Sequence, residues 1–389
     1  MTALDTRTAT TSAPSWWREA SGSVADLGVL VPIAIALIVS NGLSTTAVLL
    51  PAGLLYLVVA WTYRAPVAVQ PLKAFGAAAI AAGAGADVIA AGALLMGVVF
   101  LVLGATGWLD RLGAAFPREV IRGVQLAVGL LFAKIAWGMV SSPPATFTAQ
   151  WHPGIIIVAC LVLTAALLRW RRASALIVVA VGLALAAVAS WGAGSAALGP
   201  TPISLPSIST ADLVLAATLL VLPQIPLTIA NSCLAPADAA PAYFPAAAPR
   251  VTPSRLAMTL GGANLAVGAI SGMPLCHGAG GMSAHHAFGA RSWRAPALIG
   301  ATLVTVALAF GQDLALVLQA FPVAILAALL LVAGITHVKL LADLRGWFAW
   351  GVALMIGLAG VSGHLLAGVL LGLVVAGTRA HLRARQTAG

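Results

Sequence analysis

Long apolar runs dominate this chain, divided by short joints that carry arginine, glycine or proline. Runs long enough to cross a bilayer fall at about 22–42, 43–63, 87–109, 117–138, 154–168, 173–197, 212–236, 254–270, 296–315, 321–341, 346–360 and 362–379. Two further stretches are apolar and rich in glycine and alanine. They are PVAVQPLKAFGAAAIAAGAG, from Pro66 to Gly85, and ISGMPLCHGAGGMSAHHAFGARS, from Ile270 to Ser292. Whether these two also cross fixes the topology, and the arginines decide it. With fourteen spans both termini lie on the cytoplasmic side and the joint arginines gather there, Lys134 alone lies outside, and Lys73 falls within the membrane. With twelve, eight arginines from Arg111 to Arg255 land outside. The excess of basic residues on cytoplasmic loops selects fourteen.

Composition agrees. The chain has 389 residues, 61% of them hydrophobic and 8% charged, and a mean hydropathy of +1.04, which no water-soluble domain of this length can expose. It is therefore expected to be an all-α polytopic protein of the inner (plasma) membrane, with the lipid bilayer as its constant partner. The opening MTALDTRTATTSAPSWWREA is polar and lacks the pattern of a cleaved signal peptide. Residues 1–20 are expected to form a flexible cytoplasmic tail. The net charge of +10 lies in short arginine clusters between apolar runs, which topology explains without nucleic acid. Cys160, Cys233 and Cys276 lack metal-ligand spacing and lie inside apolar runs, so neither a disulfide framework, a metal site nor a cofactor is expected.

Each short stretch must span with an unusual backbone. A helix from Leu72 to Gly83 rises only about 18 Å, and the β-branched lead-in VAVQ, held extended, adds roughly 13 Å. Together they match a hydrocarbon core of about 30 Å. Pro71 suits the first helical turn, where its missing N–H would be unpaired anyway. An extended segment followed by a half-helix is allowed only where protein buries it or it lines a cavity, which is transporter geometry. The chain also repeats itself. FPREVIRGVQLAVGLLFAK, Phe116 to Lys134, matches FPVAILAALLLVAGITHVK, Phe321 to Lys339, at an offset of 205, and Pro71-Leu72 matches Pro274-Leu275 at 203. The prediction is a seven-plus-seven inverted repeat, residues 21–197 and 212–382, joined by an external linker at 198–211 and followed by a cytoplasmic tail at 383–389.

In such repeats the two half-helix N-termini meet near the membrane midplane, where free N–H groups favour an anion. The predicted ends are Pro71-Leu72-Lys73-Ala74 and Pro274-Leu275-Cys276-His277-Gly278. Lys73 either neutralises part of an anion's charge or snorkels to the cytoplasmic face. Gln70 either offers its amide to a ligand or satisfies broken backbone. Gly278, Gly280 and Gly281 permit close approach of a ligand or of a neighbouring helix. His277 either bonds an anion, carries a proton or is satisfied by a neighbour. His285 and His286 are read as cytoplasmic-end residues without a metal. Asp26 in the first span is a candidate for proton coupling or an interfacial cap, and Gln224 and Asn231, in a proline-broken span, are candidate substrate contacts.

These residues carry a resemblance. PVAVQPLKAFGAAAIA and GMPLCHGAGGMSAHHAFGARS resemble the two signature stretches of the molybdate transporter family related to the sulphate permeases (SulP), and SGSVADLGVLVPIA resembles that family's first span. The resemblance runs from about Ser21 to the end. It implies the seven-plus-seven fold with core and gate domains, and uptake of a tetrahedral oxyanion, molybdate first and sulphate second. Only TRAHLRARQTAG follows from Thr378, so the STAS domain usual in sulphate permeases is expected to be absent. The chain departs from the pattern at HHAFGARSW, where a Gln-aromatic pair is expected near His285-His286.

The expected function is a secondary active transporter importing that oxyanion. No nucleotide-binding loop occurs, so a proton or sodium gradient, or the anion's own gradient, would drive it. Tungstate, the coupling ion and a homodimer stay open. A sulphate or other anion transporter of the same fold is the alternative. A nucleobase or carboxylate permease would call for intramembrane carboxylates, which are sparse. An intramembrane enzyme lacks any G-x-S-x-G, H-E-x-x-H or paired-carboxylate constellation.

Overall fold

A computed structural model describes residues 16–109, 117–148, 152–169, 174–191 and 198–388 of the chain. When a helix is followed through its tighter or wider turns, the described residues form fourteen. They are α1 (Trp16–Asn41), α2 (Thr45–Tyr63), α3 (Lys73–Ala82), α4 (Ala86–Thr106), α5 (Arg118–Ser141), α6 (Pro153–Arg169) and α7 (Ser174–Ala189), then α8 (Thr210–Tyr243), α9 (Pro253–Ala269), α10 (Ala279–Ala287), α11 (Arg294–Gln319), α12 (Val323–Lys339), α13 (Trp347–Val361) and α14 (Leu365–Ala388). Each of the twelve apolar runs holds one helix, and each Gly/Ala-rich stretch holds a short one. Eight are long and apolar enough to cross a membrane unaided. The ten residues of α3 and nine of α10 are not, since they rise only about 15 and 14 Å.

Two boundaries differ from expectation. The predicted tail reaches residue 20, yet the helix already begins at Trp16, because Glu19 is buried against the turn after α10 and accepts a hydrogen bond from the Arg291 N–H at 3.1 Å. The predicted C-terminal tail from residue 383 continues α14 to Ala388. The linker is pinned where it is described. Gly199 N–H donates to Ala309 O, and Thr201 bonds Ser44 and Thr46 beside the start of α2. Two helices are irregular: α1 tightens at Val24–Asp26, ahead of its Pro32, and α8, as its prolines foretell, widens at Ala216–Val221 and Ile229–Leu234 around Pro223 and Pro226.

Packing between the halves is reciprocal. The second helix of the first half, α2, packs along the fourth of the second half, α11, and α4 packs along α9 in the same way. The fifth helices, α5 and α12, pack on each other. Reciprocal partners are what a two-fold relation between halves requires. At the centre of the α5–α12 contact a Cβ on Gly129 would stand 2.8 Å from Gly334 O, and one on Gly334 would stand 2.7 Å from Gly129 O. The two glycines are 205 residues apart, the offset of the sequence match. Only hydrogen fits there, so the backbones touch.

Candidate functional site

Between α2 and α3 the chain runs buried and non-helical through residues 65–69, with a tight turn where Val67 N–H donates to Ala65 O at 2.8 Å, then forms a two-residue strand β1 (Gln70–Pro71) antiparallel to β2 (Leu275–Cys276). Gln70 faces Cys276 and Pro71 faces Leu275. The Leu72 N–H extends the pairing to Pro274 O at 3.0 Å. This moves the half-helix starts. Pro71 is in the strand rather than the first turn; Leu72 caps α3, which begins at Lys73, and Gly278 caps α10, which begins at Ala279. A proline without an N–H fits a strand edge as well as a helix start, and the Leu72–Pro274 bond settles which. The strands are offset by 205, matching the longer repeat and not the 203 of the proline pairs.

The crossing of these strands brings the candidate residues together. Lys73 Nζ donates to Gln70 Oε1 at 2.6 Å, with Lys73 6% and Gln70 1% exposed. A Cβ on Gly278 would overlap Gln70 Oε1 and stand 3.3 Å from Lys73 Nζ, so the tip of α10 touches the pair through bare backbone. Among the described residues no carboxylate forms an ion pair with Lys73; the one ion pair joins Arg122 to Asp343. A buried ammonium held only by an amide oxygen is costly until an anion joins it.

The half-helix ends supply donors. Neither N-cap residue, Leu72 before α3 or Gly278 before α10, caps its helix with a side chain, which leaves the first two N–H groups of α3 and the first turn of α10 without a local cap. Ala74 and Gly281 are buried beside them, while a Cβ on Gly280 would meet nothing within 4 Å. Gln224, on the proline-bounded segment of α8, reaches across to accept from Phe75 N–H at 2.8 Å and donates to Thr228 Oγ1 at 2.8 Å. It fixes the angle of α3 by occupying the third N–H of that helix.

Other candidates are engaged by neighbours or lie apart. His277 is fully buried. Its Nδ1 donates to Ala68 O at 3.0 Å and its Nε2 meets Thr259 Oγ1 at 2.8 Å, so both nitrogens are engaged. Thr259 in turn bonds the Tyr63 hydroxyl at 2.6 Å. Cys276 Sγ contacts Pro71 O at 3.4 Å. Asn231 lies apart, in a cleft of about 490 Å³ between α5 and α8 lined also by Arg118, Arg122, Gln125, Asp238 and Asp343. The Asp26 side chain lies outside the described residues.

Two residues escape sequence reasoning. Asn264 on α9, wholly buried, accepts from Leu275 N–H at 2.9 Å and donates to Leu275 O at 2.8 Å, clamping β2. His337 on α12 packs edge-on to Phe132 and lies within range of the Lys73 charge. Its THVK context in the repeat is the only signal that marked the region.

A family profile described as "Molybdate transporter of MFS superfamily" matches residues 18–132 and 216–336, which hold both half-helices and most of their supports. The chain belongs to this molybdate transporter family. It is 30% identical to Molybdate transporter 1 of Chlamydomonas reinhardtii, over 92% of this chain and 90% of that one. It is 31% identical to Molybdate transporter 2 of Arabidopsis thaliana, over 82% and 77%. The fold of this family member is shared with the transmembrane domain of the cyanobacterial bicarbonate transporter BicA, at a TM-score of 0.60 and 14% identity over 92% of this chain and 95% of that one. It is shared likewise with the murine anion transporter Slc26a9 in its inward-facing state, at 0.69 and 15% over 95% and 69%. The seven helices of each half described above differ from the six-helix halves that the superfamily label describes. The molybdate transporter family member is thus a multi-pass membrane transport protein and not an enzyme.

Proposed function

We propose that the chain is a secondary active transporter that imports a tetrahedral oxyanion, molybdate first, bound between the N-termini of α3 and α10 near the membrane midplane. In this reading all fourteen helices cross the plasma membrane and both termini are cytoplasmic. The observation that carries it is the buried Lys73 ammonium, held by Gln70 where the N-termini of α3 and α10 converge, with no carboxylate paired to it among the described residues. A dianion about 4 Å from that cation, at an effective dielectric near 20, gains roughly 8 kcal/mol before desolvation is subtracted. The names of the molybdate transporter relatives and a donor set of N–H groups beside an ammonium support the same substrate class.

The packing supports alternating access. The bundle α1–α4 with α8–α11 holds both half-helices, while α5–α7 with α12–α14 lies against it, with α5 packed on α3. Rocking one bundle against the other would open the site first to one side and then to the other. The arginine-bearing cleft around Asn231 gives a polar path on one of these sides. Asp26 remains the candidate for proton coupling.

The test is anion binding to purified Lys73→Ala, Lys73→Arg and Lys339→Ala. Loss of one member of a buried charge pair costs on the order of 2–4 kcal/mol, so Lys73→Ala should weaken molybdate affinity at least about tenfold. Arginine should recover part, being larger and forked. Lys339, exposed at the end of α12, should change nothing. Parental affinity in Lys73→Ala sinks the proposal. Competition of labelled molybdate against sulphate, tungstate and uracil in proteoliposomes then ranks the oxyanions, and inhibition by uracil alone would favour a nucleobase permease.

A further inference from the structure

Away from the half-helices, a second cavity of about 540 Å³ opens at the ends of α2, α8 and α10, lined by Arg64, Tyr243, Phe244, Arg250, Arg291 and Ser292 among others. Three arginines from three separate connections share it, and no aspartate or glutamate lines it. Their positive charge is therefore uncompensated within the cavity, which asks for an anion.

Two independent observations point to what that anion is. The first is backbone strain. Arg64 caps α2 at φ 56° and ψ 22°, the left-handed region that glycine normally fills at a helix end. An arginine kept in that conformation is held there for its side chain, which the cavity receives. Arg291 is similarly aimed, because its Nη1 is anchored to the carbonyls of His286 and Ala290 at 2.5 and 2.8 Å. The second is depth. Trp61 stands one turn before Arg64 and is 75% exposed, Trp293 follows Ser292 and is 41% exposed, and the Trp16 ring lies 4.9 Å from the Arg294 guanidinium. Outward-facing tryptophans beside arginines mark the level of lipid headgroups. The cavity thus opens where phosphodiesters of a bilayer lie, and its walls offer guanidinium forks, the Ser292 hydroxyl and the aromatic Tyr243, which stacks on His286 at 4.7 Å.

We infer that this cavity is a binding site for the phosphate of an anionic phospholipid headgroup, separate from the transported-anion site. Arg64 and Arg250 grip the phosphate, and Arg291, fixed by its carbonyl bonds, orients it. The occupied site ties the α2 end to the α8–α9 and α10–α11 connections, so a bound lipid holds together the segments that carry both half-helices.

The full chain, purified in detergent, is titrated with phosphatidylglycerol, phosphatidylcholine and inorganic phosphate, and bound lipid is counted by native mass spectrometry. Phosphatidylglycerol should be retained in preference to phosphatidylcholine. Arg64→Gln and Arg250→Gln should each weaken retention about fivefold, with molybdate binding unchanged as the check on folding. Arg64→Gly is the second variant: it relieves the left-handed backbone, so its thermal midpoint should hold or rise while its share of lipid retention is lost. Equal retention of the two lipids overturns the proposal, as does retention by the arginine variants at parental strength. Binding of inorganic phosphate without preference for phosphatidylglycerol overturns the lipid as ligand.

Discussion

Gly278→Ala places one methyl group where, among the described glycines, an added carbon comes nearest to another atom. The new carbon would fall on Gln70 Oε1 and 3.3 Å from Lys73 Nζ. Either the Gln70 amide swings away and gives up its 2.6 Å bond to the ammonium, or the β1–β2 crossing spreads. Losing a buried hydrogen bond to a charged group costs about 1.5–3 kcal/mol, and overpacking a filled interior costs about 1–3 kcal/mol. The structure can choose the cheaper relaxation, so the net effect should be about 2 kcal/mol, a thirtyfold loss of molybdate affinity if it falls on the site. Thermal unfolding and anion binding of the purified variant read the two parts. Gly280→Ala is the internal control. Its Cβ meets nothing within 4 Å, and alanine in place of helical glycine gains roughly 0.5–1 kcal/mol. Its thermal midpoint should not fall, which separates the collision at Gly278 from a general effect of adding a methyl group to α10. Adding Gln70→Ala to Gly278→Ala removes the collision, so the double variant should unfold at a higher temperature than additivity allows. A Gly278→Ala protein with the parent's midpoint and affinity would refute the reasoning, because the amide and the α10 tip could not then share that space.

Two further outcomes test the frame around the site. Asn264→Ala strips the Leu275 N–H and carbonyl of their side-chain partners and should destabilise by about 2–4 kcal/mol; Asn264→Asp can accept but not donate, so it should recover half at most, as thermal unfolding will show. Single cysteines at Gly42 and Ser207 should react with an impermeant maleimide from outside intact cells, and one at Arg250 only after the membrane is opened. The three native cysteines are buried and give little background, and labelling at 250 from outside would remove the fourteen-crossing topology.

Apolar run length made the helices legible, since a run of about twenty such residues has few other uses. The two broken spans were legible for a different reason: Pro71, Pro274 and the glycines around Gly278 have few places in an unbroken helix. What the residues could not show is where each half-helix begins. Proline tolerates both candidate positions, and the deciding bond runs from Leu72 to Pro274, about two hundred residues away in sequence. Asn264 was invisible in GGANLAVGA because an asparagine among small residues reads as packing until the strand it clamps is seen. His277 stood out by its chemistry, yet its partners Ala68 and Thr259 come from two different elements, and only their positions separate a scaffold histidine from a ligand.

The contact of Gly129 with Gly334 has a bearing on where the chain can vary. A point on a two-fold axis is its own image, so a residue placed there faces its counterpart 205 positions on. Two helices can close at such a point only if both residues lack a side chain, because a Cβ on either would meet the opposite carbonyl. Matched positions elsewhere along α5 and α12 carry unlike residues, as Glu119 and Ala324 or Arg122 and Ala327 do, but a change at either glycine strikes the opposite backbone.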